Sequence, residues 1–297
     1  MTSRCGFVAI VGAPNAGKST LLNRLTGVKL SIVSSKAQTT RFRVLGILLL
    51  GGSQVLLVDT PGIFAPRRRL DRAMVAAAWT GAHDADLAVL LVDAKTGATE
   101  AVCAIAARLR TSGRRCWLVL NKIDLVPTPH LLPLTATLTA LAPFESTFMV
   151  SATTGDGLNA LSDALADVVP EGPHLYPDDD ITDLPDRLLA AELVREQIFL
   201  QTHEEVPYAT TVETESWREG KDGSVRVEAT IYVSRPGHKA ILIGNGGARI
   251  KSIGAKARAA LIEQLDRKVH LFLNVKERAG WDEETARLRA IGLGDAG

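Results

Sequence analysis

Four separated segments of this chain carry residue types that chemistry could use, and each fits a different part of one nucleotide. Gly12-Ala-Pro-Asn-Ala-Gly-Lys-Ser19 is spaced as a phosphate-binding loop. Glycines at 12 and 17 let the backbone turn its N–H groups inward, and a following helix adds the positive end of its dipole. Gly12, Ala13, Pro14, Asn15, Ala16 and Gly17 would surround the phosphates, with Thr20 just beyond them. Lys18 would reach the β- and γ-phosphates and Ser19 would ligate Mg²⁺. Asn121-Lys-Ile-Asp124 would read the base. A carboxylate at Asp124 accepts from both the N1–H and the exocyclic amine of guanine, whereas adenine presents an acceptor at N1. Asn121 would bond the other base edge and Lys122 would lie over the ring. In Val150-Ser151-Ala152 the Ala152 N–H would meet guanine O6.

Between these segments lie residues suited to sensing a γ-phosphate. Asp59 would hold Mg²⁺ through water, and Thr60, Pro61 and Gly62 follow it, with the Gly62 N–H aimed at the γ-phosphate. Gln38-Thr-Thr-Arg41 offers two hydroxyls to the metal, of which Thr40 is preferred over Thr39. Lys18, Thr40 and Gly62 are thus the candidate catalytic groups, and Ser19, Thr40 and Asp59 the candidate metal ligands. Ile63 follows Gly62 where a water-positioning glutamine would act, so slow intrinsic hydrolysis is expected.

Strands and helices must place these groups. Apolar runs at 7–11, 44–50, 55–58, 87–92, 116–120 and 147–150 read as strands and alternate with helical segments, which predicts an α/β domain with a mostly parallel sheet covered on both faces. The loop at 12–19 then joins a buried strand to a helix, and Asn121 stands at a strand's C-terminal end, where open α/β sheets bind ligands. This P-loop domain is expected to span 1–170. Residues 171–186, rich in Pro and Asp, break every periodicity and read as a linker.

A smaller α+β domain is expected over 187–297, tail included. Asp186 to Gln201 fits a helix face only approximately, Thr210 to Trp217 and Val225 to Val233 alternate as strands around a hairpin turn, and Lys268 to Val275 reads as a terminal strand. Between them Gly244-Asn245-Gly246-Gly247 forms a G-x-x-G turn before a helix starting at Ala248, in a stretch holding six basic residues and no acid from 235 to 258. That is the arrangement of a KH domain, whose loop clamps a single-stranded sugar–phosphate backbone beside an apolar groove. The candidate RNA contacts are Arg235, Lys239, Ile243, the four loop residues, Arg249, Ile250 and Lys251.

Gly6-Phe-Val-Ala-Ile-Val-Gly12, Ser35-Lys-Ala-Gln-Thr-Thr-Arg41, Val58-Asp-Thr-Pro-Gly62, Tyr176 to Asp183 and Ile243 to Gly254 together resemble the bacterial Era family, of the TrmE-Era class of GTPases, nearly end to end. The resemblance implies GTP/GDP and Mg²⁺ as ligands and a type II-like KH domain gripping the 3′ end of small-subunit rRNA. It further implies a role in assembly of the small ribosomal subunit. It also permits a peripheral contact with the inner face of the cell membrane, and a monomer is expected. Gly246 departs from the family pattern, standing where a lysine is expected and removing one phosphate contact.

Bulk properties agree with two domains, since 297 residues exceed one ordinary domain. Net charge is only +1, so contact with nucleic acid must come from local clustering. Three cysteines, 5, 103 and 116, have no metal spacing and suit a reducing cytoplasm. Neither a signal peptide nor a bilayer-spanning run is visible. The competing reading is an RNA-binding module in which GTP is mainly structural. An RNA-modifying enzyme is disfavoured, because the second domain lacks a Cys/His cluster and paired catalytic carboxylates.

Overall fold

The computed structural model describes residues 3–293, so Met1, Thr2 and the last four positions of the expected second domain, 294–297, lie outside the described residues. Six strands form the first sheet: β1 (Arg4–Val11), β2 (Val44–Leu50), β3 (Ser53–Asp59), β4 (Leu87–Asp93), β5 (Cys116–Asn121) and β6 (Ser146–Met149). Their order is β2-β3-β1-β4-β5-β6, parallel throughout except for the β2/β3 pair. That pair is antiparallel because only Gly51 and Gly52 join it, at φ 58° and 94°, as a tight hairpin turn demands.

Both faces of this sheet are buried, and β4 shows how. Leu87, Val89 and Leu91 enter one apolar cluster with Val8, Ile10 and Leu57, while Ala88, Leu90 and Val92 enter another with Ile105 and Leu118. Such strands read as unbroken apolar runs rather than alternating ones. Five helices cover them: α1 (Lys18–Thr26), α2 (Arg69–Asp84), α3 (Glu100–Ser112), α4 (Leu131–Thr139) and α5 (Leu158–Val168). β1, β3, β4 and β5 end in Val11, Asp59, Asp93 and Asn121 along one rim of the sheet, the usual ligand crevice.

Residues 171–186 form no helix or strand, yet they are bonded in place. Gln54 Oε1 accepts from the N–H groups of Leu175 and Tyr176, the Ile47 N–H donates to Ile181 O at 2.8 Å, and the Thr182 hydroxyl donates to Leu45 O at 2.6 Å. The segment thereby covers the free edge of β2, an edge that would otherwise offer unpaired backbone groups to other chains.

The second domain runs α6 (Asp186–Gln201), β7 (Thr210–Glu219), β8 (Val225–Val233), α7 (Pro236–Ile243), α8 (Ala248–Leu265) and β9 (Val269–Glu277), followed by α9 (Thr285–Ala290). β7 pairs antiparallel to β8, and β9 parallel to it. α6 is buried almost all round from Leu189 to Phe199. Ala191, Val194 and Ile198 face the core of their own domain, while Arg195 and Glu196 face the first. A helix clasped on two sides has no single apolar stripe, which is why its periodicity is poor. The chain then returns to the first domain: Trp281, Leu288, Ile291 and Leu293 pack in one cluster with Phe42, Leu70 and Ala73. Among the described residues no helix is long and apolar enough to cross a membrane.

Candidate nucleotide site and nucleic-acid interface

Only glycine fits at two points of the loop between β1 and α1. A Cβ on Gly12 would lie 2.4 Å from Leu91 O, and one on Gly17, at φ 97°, would lie 2.3 Å from Asn121 Nδ2. Gly17 caps α1, so the first free N–H groups of the helix open into this loop. Lys18 is buried there and donates to Gly12 O at 3.2 Å and Ala13 O at 3.1 Å. Burial pulls its pKa down to about 8, with Asp59 partly opposing the shift.

The three predicted metal ligands converge. Ser19 Oγ lies 2.8 Å from Thr40 Oγ1 and 2.8 Å from Asp59 Oδ2, and Thr40 Oγ1 lies 3.1 Å from the same carboxylate oxygen. Asp59 Oδ1 is buried without a hydrogen-bond partner, and burial raises the carboxyl's pKa against the pull of Lys18. An orphaned, desolvated carboxylate oxygen beside two hydroxyls suits a hard cation such as Mg²⁺. Thr40 rather than Thr39 points there; the Thr39 carbonyl instead accepts from Arg195 of α6.

Around this centre lies a cavity of about 400 Å³, whose walls include Pro14, Asn15, Thr20, Gln38, Gly62, Asp93, Thr96 and Lys122. A Cβ on Gly62 would stand 3.1 Å from Pro14, and the Ile63 N–H donates to Gly12 O at 3.1 Å, so the segment after β3 lies directly against the phosphate loop. Ile63 itself is buried in the apolar cluster beside Val11 and Ala78. It therefore offers nothing to an attacking water. The Thr60 hydroxyl is also directed into the fold, donating to Ile10 O at 2.7 Å, so its predicted nucleotide role reduces to shaping the turn.

The base-reading residues form a brace with the phosphate loop. Asn121 Nδ2 donates to Ala16 O at 2.9 Å, and the Ala152 N–H, expected at guanine O6, donates to Asn121 Oδ1 at 3.0 Å instead. Ser151 Oγ accepts from the Thr154 N–H at 3.1 Å and shapes the same turn. Lys122 and Asn15 both adopt left-handed backbone conformations, at φ 63° and 64°, and Lys122 Nζ bridges Asn15 O and Asp93 Oδ2, each at 2.7 Å. Positive φ at two non-glycine residues is strain that such bonds hold in place. Asp124 is exposed just beyond, and among the described residues its carboxylate has no hydrogen bond or ion pair. Sequence reasoning missed Asp93, although it ends an apolar run as Asp59 does.

It also missed the contact between the domains. Arg195, 2 % exposed, pairs with Glu192 at 2.5 Å and donates to Thr39 O. Glu196 pairs with Lys29 at 2.5 Å and accepts from the Val33 N–H, and Lys36 Nζ donates to Phe199 O. Arg41 is buried, donates to Thr210 O at 2.8 Å and stacks 5.2 Å from the centre of the Trp281 ring; burial and the Arg195 charge lower its pKa to about 9. The polar stretch 29–41 is thus held against α6 and β7. Within the basic run 67–69, Arg68 pairs with Asp282 at 3.5 Å, and Arg69 donates to Glu283 O at 2.9 Å and Thr285 Oγ1 at 2.8 Å.

At the other end of the second domain, α7 stops at Gly244, whose φ of 68° and whose 2.9 Å gap between a built Cβ and Arg249 Cβ exclude any larger residue without strain. The turn Gly244–Gly247 delivers the chain to α8. Beside it runs a groove of about 380 Å³ lined by Ile250, Lys251, Gly254, Arg258, Leu271 and Leu273. Arg235, Lys239, Asn245, Gly246 and Lys251 are exposed, Ile243 and Arg249 half-buried, and Arg249 donates to Ile241 O. None of these basic side chains forms an ion pair among the described residues, leaving their charge for a polyanion. Arg258 and the two β9 leucines were not foreseen as groove residues.

Known proteins repeat this arrangement. A 50S ribosome-binding GTPase family profile matches residues 7–122, and a KH domain profile matches 205–282. GTPase Era of Bradyrhizobium sp. (strain BTAi1) is 53% identical over 98% of this chain and 94% of its own length. GTPase Era of Rhizobium meliloti is 53% identical over 98% and 93%. Among solved structures, a tyrosine-to-alanine variant of Aquifex aeolicus Era bound to GDP and aluminium fluoride superposes with a TM-score of 0.93, at 38% identity over 98% of this chain and all of the other. Era in complex with MgGDPNP and nucleotides 1506–1542 of 16S ribosomal RNA gives 0.94, at 38% identity over 99% and 100%.

Proposed function

Because the chain belongs to the Era family of GTPases, we propose that it is a GTP-hydrolysing switch that binds the single-stranded 3′ end of small-subunit rRNA and acts in assembly of the small ribosomal subunit. The observation that carries this reading is the bond from Arg195 to the carbonyl of Thr39, next to a hydroxyl that touches Ser19 and Asp59. A group that would report the γ-phosphate is thereby tied to the first helix of the RNA-binding domain. The Era complex with both GDPNP and rRNA supports the pairing of ligands.

In this mechanism Lys18, released from the carbonyls of Gly12 and Ala13, places its charge on the β- and γ-phosphates, while the loop and helix N–H groups hold the rest. Ser19, Thr40 and Asp59 would hold Mg²⁺, which neutralises charge developing on the transferred phosphoryl group. The Gly62 N–H faces the γ-phosphate. Asp124 takes the guanine edge, Asn121 fixes the loops that carry it, and Lys122 covers the ring. Water attacks the γ-phosphorus and GDP leaves. Since Ile63 is buried, no side chain after Gly62 orients that water, and unstimulated turnover is slow.

We take 1–170 as the GTPase unit, 171–186 as the joining segment and 187–297 as the KH unit, acting as a cytoplasmic monomer whose contact with the inner face of the membrane is at most peripheral. The test is the affinity for a short single-stranded RNA from the 3′ end of small-subunit rRNA, compared between the GDP-bound and GDPNP-bound protein. At least a tenfold difference is expected from coupling of about 1–3 kcal/mol. Equal tight binding would leave two independent modules. Replacing Gly244 and Gly247 by Asp should abolish RNA binding in both states while leaving nucleotide affinity intact.

A further inference from the structure

α2 and α3 end beside each other at the edge of the first sheet opposite the nucleotide: Asp84 leads into β4 and Ser112 into β5, whereas the nucleotide residues stand where those strands finish. The two helix ends enclose a cavity of about 160 Å³. Trp79, Ala82 and Leu109 supply apolar walls, and His83, Arg108 and Arg114, all exposed, surround them. The Arg108 guanidinium stacks 4.1 Å from the centre of the Trp79 ring, making a flat aromatic-cation wall. Arg114 lies 3.5 Å from His83 Nδ1. Arg115 is neutralised by Glu145 at 2.9 Å, and Asp84 is turned to His83 at 3.3 Å. Arg108, Arg110 and Arg114 have no acidic partner among the described residues. In a chain whose net charge is +1, three unpaired guanidinium groups within seven residues are a local excess.

We propose that this cavity is a second RNA contact, accepting one unpaired nucleotide of the small-subunit rRNA with its base on the Trp79–Arg108 wall and its phosphates on Arg114 and Arg110. The proposal rests on the rRNA-binding reading above. Stacking on an aromatic face combined with basic groups along the backbone is how proteins hold single strands without reading sequence. A concave apolar floor suits one base; a lipid surface would call for apolar side chains projecting outward. Being at the far end of the sheet from the KH groove, the site would engage a different rRNA segment from the one held at Gly244–Gly247, and bivalent attachment multiplies the affinity of two modest contacts.

The test uses the full chain bound to GDPNP and measures affinity against salt for two probes, the short 3′-end RNA and full-length small-subunit rRNA. Arg108→Glu/Arg114→Glu should bind the short RNA as the wild type does. On full-length rRNA it should bind about tenfold or more weakly, with a salt slope shallower by about 1.4 to 1.8 for two lost phosphate contacts. Trp79→Leu should weaken the long RNA without changing the slope. GTP turnover without RNA serves as the folding control, and Arg108→Gln/Arg114→Gln replaces the reversal variant if that control fails. Unchanged affinity and slope on full-length rRNA would overturn the proposal. So would loss of binding to anionic phospholipid vesicles with rRNA binding intact, which would make the patch a membrane contact. A wild type that binds neither RNA would instead remove the rRNA reading beneath it.

Discussion

Replacing Arg195 by Met tests whether α6 holds the γ-phosphate sensor in place. Methionine keeps an apolar stem against Phe199, whose ring lies 5.4 Å from the guanidinium, and keeps the helix, since both residues are good helix formers. What is lost is the charge-assisted hydrogen bond to Thr39 O, made by a side chain only 2 % exposed. Such a bond contributes about 1.5–3 kcal/mol. Glu192, at 14 % exposure, can turn to water, so its loss of a partner adds little. The docked arrangement should therefore weaken by about 10- to 150-fold relative to the undocked one. Only a nucleotide that requires Thr40 feels this, because a ligand shifts an equilibrium only by its differential affinity for the two states. Titration with fluorescent GDPNP and GDP in the presence of Mg²⁺ should show GDPNP affinity falling by up to that factor and GDP affinity nearly unchanged. Equal losses for both would mean that Arg195 merely supports the fold. No loss for either would refute the coupling through Thr39.

Two further outcomes follow from the site. Asp124→Asn removes a charged acceptor of two guanine hydrogen bonds, so GTP affinity should fall at least about 100-fold while xanthosine triphosphate binding appears; a variant that still selects GTP contradicts the assignment. Lys18, lowered to about 8 by burial against a model value of 10.5, holds fewer protons folded than unfolded between those pH values. Stability of the nucleotide-free protein therefore rises with pH through that window, and bound phosphates should restore the proton. Calorimetry at pH 9 without Mg²⁺, in two buffers of different ionisation enthalpy, should show uptake approaching one proton per nucleotide; zero uptake refutes it.

The strand positions were legible because sheet residues buried on both faces leave continuous apolar runs, and the nucleotide motifs because each needs a fixed backbone shape. Gly12 and Gly17 admit no Cβ, and a glycine pair at 51–52 between apolar runs was a readable hairpin signal that explains the antiparallel β2. The course of 171–186 was not legible. Its composition marks a loop, but only the three-dimensional proximity of Leu45, Ile47 and Gln54 determines where that loop is bonded.

The domain contact was illegible for a different reason. Arg195, Glu196, Lys36 and Arg41 are charged residues whose types predict exposure, yet all but Lys36 are nearly fully buried because their partners come from the other domain, more than 150 positions away. Burying such charges is favourable only when each is paired and hydrogen-bonded, so removing one partner leaves another uncompensated. A contact of that kind tends to be either complete or broken. The interface between 29–41 and α6 is consequently bistable rather than continuously deformable, and that is what a switch needs if a small movement of Thr40 is to be felt by the domain that carries Gly244–Gly247.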